Sequence, residues 1–497
     1  MPRSSRFSKE QSNLFLTAPF LCLYYFQLAH HVLWRDEFNA WAIACISRTP
    51  WELLGRVHYE AHPALWYLVL YGPSRLTHAA WMLKVVQGAI GTAIYLLLAL
   101  TTPLRRLELL LIFLGYYVSF EYTVMCRMYG LELLLSLVYV WFRMRQPERM
   151  VRNVLWLGLM ANVDVTGGIL SMGLLMEYLF ERYRRRRTDG IPKLSQFAAS
   201  VATYALCVAV SLATLWPAKD IGWAATGKMF SKFGDGEHFG VAFAKWAGLA
   251  WVPQTTDPVS LWKEPHYWPD AAILPFILLI FYGIFRTHRR LGLMLAAISV
   301  MGILFSNATS VAAIRHIGIG YIAFLVALWM MRFRGEQVSS LSYVLLGFAV
   351  VGNIYNVARQ WGRPFADDDV TAQWIRDNHL DNEPLMGTPD TNIIGVPERL
   401  QRPVYEIECN CVDRVLTFSH RRDDFDVRKD IPARMVRGVK TLGAPSVLFL
   451  MNRPLTAEEQ GELSDGRVAA APLAKFDRGY VSDEHFYVYR LTLTPPR

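Results

Sequence analysis

Apolar runs long enough to cross a bilayer recur from about residue 13 to about residue 358, several of them separated by short arginine-rich gaps. This pattern restricts the fold to a polytopic membrane protein built of α-helices, because backbone polar groups in hydrocarbon must find their partners within the chain. Composition agrees. The chain is 53% hydrophobic and 19% charged, where soluble domains carry about a quarter charged residues. The first run, about Asn13 to Leu33, follows Arg3, Arg6 and Lys9. It is too long for a signal peptide and has no small-residue cleavage site, so it reads as an uncleaved first span.

The formal charge of +9 does not point to nucleic acid, because the arginines sit in the gaps between apolar runs. They cluster at Arg105-Arg106, at Arg143, Arg145, Arg149 and Arg152, at Arg182 with Arg184 to Arg187, at Arg286, Arg289 and Arg290, and at Arg332 and Arg334. Such clusters stay cytoplasmic and set orientation. Placing all of them inside gives about eleven spans, near 13–33, 81–100, 107–125, 130–142, 154–161, 168–180, 196–217, 271–285, 291–305, 317–331 and 339–357. The N-terminus is then cytoplasmic and the C-terminus extracytoplasmic. Two interfacial helices, Phe38–Ile46 and Pro63–Tyr71, are expected in the first external loop, with a short span over Pro63–Thr77 as the alternative to the second. A long external loop, Lys219 to Asp270, carries Trp223, Trp246, Trp251, Trp262 and Trp268, and its indoles suit a membrane interface.

Beyond about Arg359 the composition turns polar. The chain divides into a membrane domain, 1–358, and an extracytoplasmic α/β domain, 359–497. Strands are expected at Val404–Ile407, Ser446–Met451 and His485–Leu491, and a helix near Asp430, where Asp can cap and Pro432 suits the first turn. Cys409 and Cys411, placed on a strand, would point to one face in poor geometry for a disulfide. They read as two small residues, with metal or redox chemistry as the alternative.

On this path the outer face gathers charged residues from distant parts of the chain. Asp36 and Glu37 end the first span, and His58, Glu60 and His62 follow in the same loop. Glu121, Arg127 and Tyr129 lie at the second outer turn, Asp164 at the third, and Arg315 and His316 at the start of a late span. Carboxylates and arginines meeting at one membrane boundary are expected of a catalytic or transport site. A buried ion-pair network that holds the bundle together is the structural alternative.

The segments Trp-Arg-Asp-Glu-Phe-Asn-Ala-Trp (34–41) and Tyr-Glu-Ala-His-Pro-Ala-Leu-Trp-Tyr (59–67) resemble the first external loop of the GT-C glycosyltransferases. The likeness is to the branch with protein O-mannosyltransferases and lipid A aminoarabinose transferases. Cys-Arg-Met-Tyr-Gly (126–130) and Ile-Arg-His (314–316) resemble that branch's fourth-span start and late arginine motif.

The resemblance implies a bacterial inner-membrane transferase. Its donor would be a polyprenyl-phosphate sugar, and its acceptor an envelope glycan, lipid or protein. Asp36 would be the general base, with Glu37 beside it in the catalytic pair; Arg315, His316 and Arg127 would hold the donor phosphate. His62, Glu60, Tyr129 and Asp164 would contact substrate. Arg127 stands where metal-dependent relatives carry a second acidic site, which favours metal-independent chemistry, although Asp36, Glu37 and Asp164 leave room for a divalent cation. A transporter or flippase, and a ligase or polymerase of the O-antigen type, are the competing readings.

Overall fold

The computed structural model describes residues 3–185, 194–222, 236–253, 267–309, 313–422 and 430–494. Its membrane part opens with α1 (Arg3–His30), followed by three short helices of the first loop: α2 (Arg35–Ile46), α3 (Pro50–Val57) and α4 (Leu65–Ser74). Helix α3 starts where Thr49 accepts the Glu52 N–H at 3.1 Å and Pro50 needs no donor of its own. Then come α5 (Trp81–Thr101), α6 (Arg106–Leu114), α7 (Tyr129–Arg145), α8 (Met150–Met160), α9 (Val165–Arg185) and α10 (Leu194–Leu215). The bundle closes with α11 (Gly236–Leu249), α12 (Tyr267–Thr287), α13 (Arg289–Thr309), α14 (Ile314–Ile317), α15 (Ile319–Phe333) and α16 (Leu341–Gln360). Among the described residues, α5, α10, α13, the α14–α15 pair and α16 are long and apolar enough to cross a membrane.

Small residues let these helices approach closely, since lipid-exposed helices gain mainly by packing. At Gly91 on α5 a Cβ would collide with Tyr24 of α1, whose hydroxyl donates to the Gln87 carbonyl at 2.8 Å. At Gly302 on α13 it would collide with Trp246 of α11.

Trp246 and Trp251 therefore differ from the surface reading of the external loop. Trp246 is buried and donates to the Ser306 hydroxyl at 3.1 Å, and Trp251 lies edge-on to Phe281 and Phe324. They pack inside the bundle because α11 folds back onto α12 and α13. Trp223 and Trp262, and the side chain of Trp268, lie outside the described residues.

Two expected spans are broken at glycines. Helix α6 stops at Leu114; Gly115 is extended, and one π-helical turn, Tyr117–Glu121, follows. The late span starts as α14 and restarts at α15 across Gly318, where a Cβ would strike Tyr117 and Tyr122. Both breaks aim polar groups at one end of the bundle.

After α16 come α17 (Asp368–Asp377), β1 (Leu385–Thr388), α18 (Asp390–Ile393), α19 (Gly395–Leu400), β2 (Val404–Glu406) and β3 (Cys411–Asp413). The chain ends with α20 (Ile431–Leu442), β4 (Ser446–Met451), α21 (Ala457–Asp465), β5 (Val468–Phe476) and β6 (Phe486–Leu493). The sheet order is β3-β2-β1-β4-β6-β5, with β1 parallel to β2 and β4 and the outer pairs antiparallel.

Cys409 and Cys411 form a disulfide, contrary to the strand-based expectation, with Cα atoms 5.2 Å apart. The pair does not lie along one strand: Cys409 is in the turn after β2 and Cys411 opens β3. There Asn410 takes a left-handed conformation at φ 55° and turns the two side chains together.

Candidate active site

A cavity of about 580 Å³ opens where α1 gives way to α2. It is lined by Asp36, Glu60, His62, Arg127, Asp164, Arg315 and His316, so seven of the nine expected site residues converge across nearly 300 positions of chain. Each is placed by a local feature. Asp36 lies in the first turn of α2, and Glu60 and His62 lie in the turn after α3. Arg127 precedes α7, and Asp164 precedes α9. Arg315 is fixed through its own backbone, whose carbonyl accepts the Tyr122 hydroxyl at 2.8 Å.

The centre is a carboxylate among guanidiniums. Asp36 Oδ2 accepts from Arg315 Nη2 at 3.0 Å, while Arg127 donates to the Asp36 main-chain carbonyl. Arg315 and Arg35 both lie over the Trp34 ring, 5.4 and 5.5 Å from its centroid. Burial pushes the Asp36 carboxyl up, but Arg127, then Arg315, Arg35 and His62, outweigh it and hold the group at about 2. Its side chain stays 26% exposed, open to the cavity.

His62 Nδ1 bonds the Asp164 carboxylate at 2.8 Å, and the Thr166 hydroxyl donates to the other Asp164 oxygen at 2.5 Å. For Asp164, burial is again outweighed, chiefly by the His62 hydrogen bond, and its acidity is strengthened. Glu60 goes the other way. Burial pushes it up to about 7, against the Tyr67 hydroxyl, Arg127 and the Asn39 amide. It is therefore partly protonated near neutrality and can donate a hydrogen bond.

Two expected residues lie behind the wall rather than in it. Glu37 is fully buried and does not line the cavity. Its carboxylate accepts from the Trp34 N–H at 2.9 Å and the Cys126 N–H, and meets His31 at 3.0 Å. Glu37 thus ties the end of α1 to the approach of α7 from behind the cavity wall. Tyr129 bonds His316 Nε2 through its hydroxyl at 3.0 Å and also meets Arg127, so it supports two cavity residues from behind. Of the neighbouring residues, His58 meets the Trp216 carbonyl at 2.6 Å and Glu121 accepts from Tyr116 at 2.7 Å.

Asp36, Glu37 and Asp164 do not assemble into a cation site, since Glu37 and Asp164 spend their oxygens on the partners above. Among the described residues, the one group of three or more acidic, Cys or His ligands with atoms near enough to share an ion is Glu406 with Cys409 and Cys411, both in the disulfide.

The C-terminal sheet domain supplies the remaining wall through Thr391, Asn392, Ile394, Leu416, Phe418 and Asp483. It also grips the Asp36 segment. Asp483 accepts from Arg35 Nη1 at 2.9 Å, Glu484 accepts the Arg35 N–H at 3.3 Å, and Asn39 accepts the Leu416 N–H at 3.1 Å. Nothing in the polar 359–497 tail announces such contacts; the signal would have been the acidic pair Asp483-Glu484 read against Arg35. If this grip positions Asp36, Arg35→Gln lowers kcat about ten- to a hundredfold, the range for a misplacement near 1 Å. Donor KM stays near wild type and Arg35→Lys recovers part of the rate. An unchanged kcat in steady-state assays of Arg35→Gln would leave the contact purely structural.

The chain is an integral membrane protein, a polytopic helical bundle with a charged cavity at one end that is closed over by a mixed α/β domain. Among solved structures, ArnT from Cupriavidus metallidurans in the apo state aligns over 97% of this chain and 98% of its own, with a TM-score of 0.51 and 13% identity. ArnT bound to undecaprenyl phosphate aligns over 96% and 97%, with a TM-score of 0.48 and 12% identity. No protein-family model matches the chain, and no curated protein matches it in sequence.

Proposed function

We propose that this protein transfers a sugar from a polyprenyl-phosphate donor to an acceptor hydroxyl or amine of an envelope glycan, lipid or protein at the extracytoplasmic face. The observation that carries the reading is the Asp36–Arg315 pair, 3.0 Å apart, with Arg127 beside it in one cavity at the membrane end of the bundle. A base next to two phosphate-binding forks is what displacement of a lipid phosphate requires. The donor class follows from the resemblance of the Asp36, His62, Arg127 and Arg315 segments to GT-C enzymes, and the fold is consistent with it.

In the proposed reaction the acceptor O–H or N–H attacks the anomeric carbon while its proton passes to Asp36. The bond from that carbon to the phosphate oxygen breaks, and polyprenyl phosphate leaves through an oxocarbenium-like transition state. Arg315 and Arg127 stabilise the charge that grows on the phosphate. A single displacement inverts the anomeric centre. At rest, Arg127 and then Arg315 hold Asp36 too acidic to be an effective base. A donor phosphate that draws Arg315 towards itself raises the Asp36 pKa, so donor binding switches the base on.

The test is transfer from a panel of radiolabelled polyprenyl-phosphate sugars by the purified protein, with crude envelope glycans as acceptor, with and without EDTA. Labelled product with inverted configuration is expected. A folded protein that transfers none of the panel's sugars would overturn the reading, and loss of product in EDTA would reinstate a metal.

A further inference from the structure

At the other end of the bundle lies a second cavity of about 300 Å³. Helices α9, α13 and α15 join the two. Helix α9 begins beside Asp164 and ends at Arg185, α13 begins at Arg289 and passes Phe305 in the first cavity, and α14 with α15 leads from Arg315 to Arg334. A helix of 21 residues is about 30 Å long, the thickness of a bilayer's hydrocarbon core.

Five arginines from four segments line this cavity: Arg184, Arg286, Arg289, Arg290 and Arg334. Two already have carboxylates. Arg334 and Arg290 reach Glu181 at 2.8 and 3.5 Å, and Glu181 also takes Arg143 and Arg185. The lining acid, Glu336, is engaged by His288 at 2.9 Å. Arg184, Arg286 and Arg289 have no carboxylate partner among the described residues, yet they face one small space. Setting orientation needs positive charge at this membrane level. It does not need exposed guanidiniums from three helices gathered round one open recess, an arrangement in which an anion is drawn by all of them at once.

Two further features point to phosphate. The first turn of α13, Arg289 to Leu291, lines the cavity, and N–H groups of a helix's first turn lack intrahelical acceptors and lie at its positive end. Phe285 and Phe333, next in sequence to Arg286 and Arg334, are exposed apolar side chains. A headgroup in the cavity would leave its acyl chains beside them.

We infer that this cavity is a phosphate site for an anionic membrane lipid of the leaflet opposite Asp36. Its free forks, Arg184, Arg286 and Arg289, take the headgroup phosphate, and Glu181 holds the remaining arginines in place. The site stands apart from the transfer chemistry and does not depend on it.

The full-length protein in neutral detergent is titrated with dioctanoyl-phosphatidylglycerol, dioctanoyl-phosphatidylcholine and inorganic phosphate, with binding read by native mass spectrometry and the shift in Tm. Phosphatidylglycerol is expected to bind about tenfold more tightly than phosphatidylcholine, the scale of a charge-assisted bond. The triple variant Arg184→Lys, Arg286→Lys, Arg289→Lys keeps charge and orientation but loses the forks, and should bind phosphatidylglycerol about tenfold more weakly. The matching glutamine variant should lose more. Inorganic phosphate that binds in an arginine-dependent way without phosphatidylglycerol doing so supports the phosphate chemistry and reassigns its source to a soluble ion. Equal binding of the two lipids with no phosphate binding, or wild-type phosphatidylglycerol binding by the lysine variant, overturns the site.

Discussion

Asp36→Asn is expected to fold and insert like the wild type while sugar transfer falls by about a thousandfold, within the range for losing a positioned general base. The substitution keeps shape and leaves an amide oxygen to accept from Arg315, which meets the native carboxylate at 3.0 Å. Binding contacts thus persist, and what disappears is the capacity to take the acceptor's proton. Because the native group is held at about 2, it is ionised throughout the working range of pH. The acid limb of kcat/KM, which reports the free enzyme, should therefore lie below the accessible range. The limb of kcat should appear at higher pH, since the donor complex has drawn Arg315 away. Single-turnover transfer and Tm, measured on the same preparation, separate the two effects. Turnover within a few-fold of wild type, with an unchanged Tm, would remove Asp36 as the base.

Much of this arrangement is legible from sequence, and the reasons differ by element. Helices occupy every expected span because long apolar runs leave a chain in hydrocarbon little choice. Their interruptions are not legible: Gly115 and Gly318 look like ordinary small residues until Tyr321, Tyr117 and Tyr122 are seen packed against them. The convergence of Asp36, His62, Arg127, Asp164 and Arg315 follows from counting crossings, since an odd or even number of spans sets which end a residue occupies. Side-chain direction is a finer matter. Asp36 and Glu37 are adjacent and chemically alike, yet about 100° of helix rotation sends one to the cavity and the other into the wall. Cys409 and Cys411 show the same limit, because whether such a pair is strand or turn depends on the left-handed Asn410 between them. The contribution of the C-terminal domain rests on contacts spanning more than 440 positions, such as Arg35 with Asp483, and no local pattern encodes these.

Arg315→Ala should lower transfer by about a hundred- to a thousandfold, the usual cost of removing one donor from a developing anion. The loss should appear in kcat as well as in donor KM, because the phosphate's charge grows towards the transition state and the interaction strengthens with it. Arg315→Lys should recover only part of the rate. An ammonium restores the charge but not the bidentate fork. A role confined to bracing Asp36 predicts a different pattern. In that case alanine and lysine variants would leave donor KM untouched, and only the acid limb would move. The sign of that movement is fixed: Arg315 lowers the Asp36 pKa, so its removal raises it, and activity in the free enzyme is then lost at a higher pH as pH falls. Donor KM, kcat and the acid limb, followed together across alanine and lysine variants, therefore distinguish a phosphate ligand from a brace. Unchanged donor kinetics in both variants would assign Arg315 to structure and return the phosphate to Arg127 and His316.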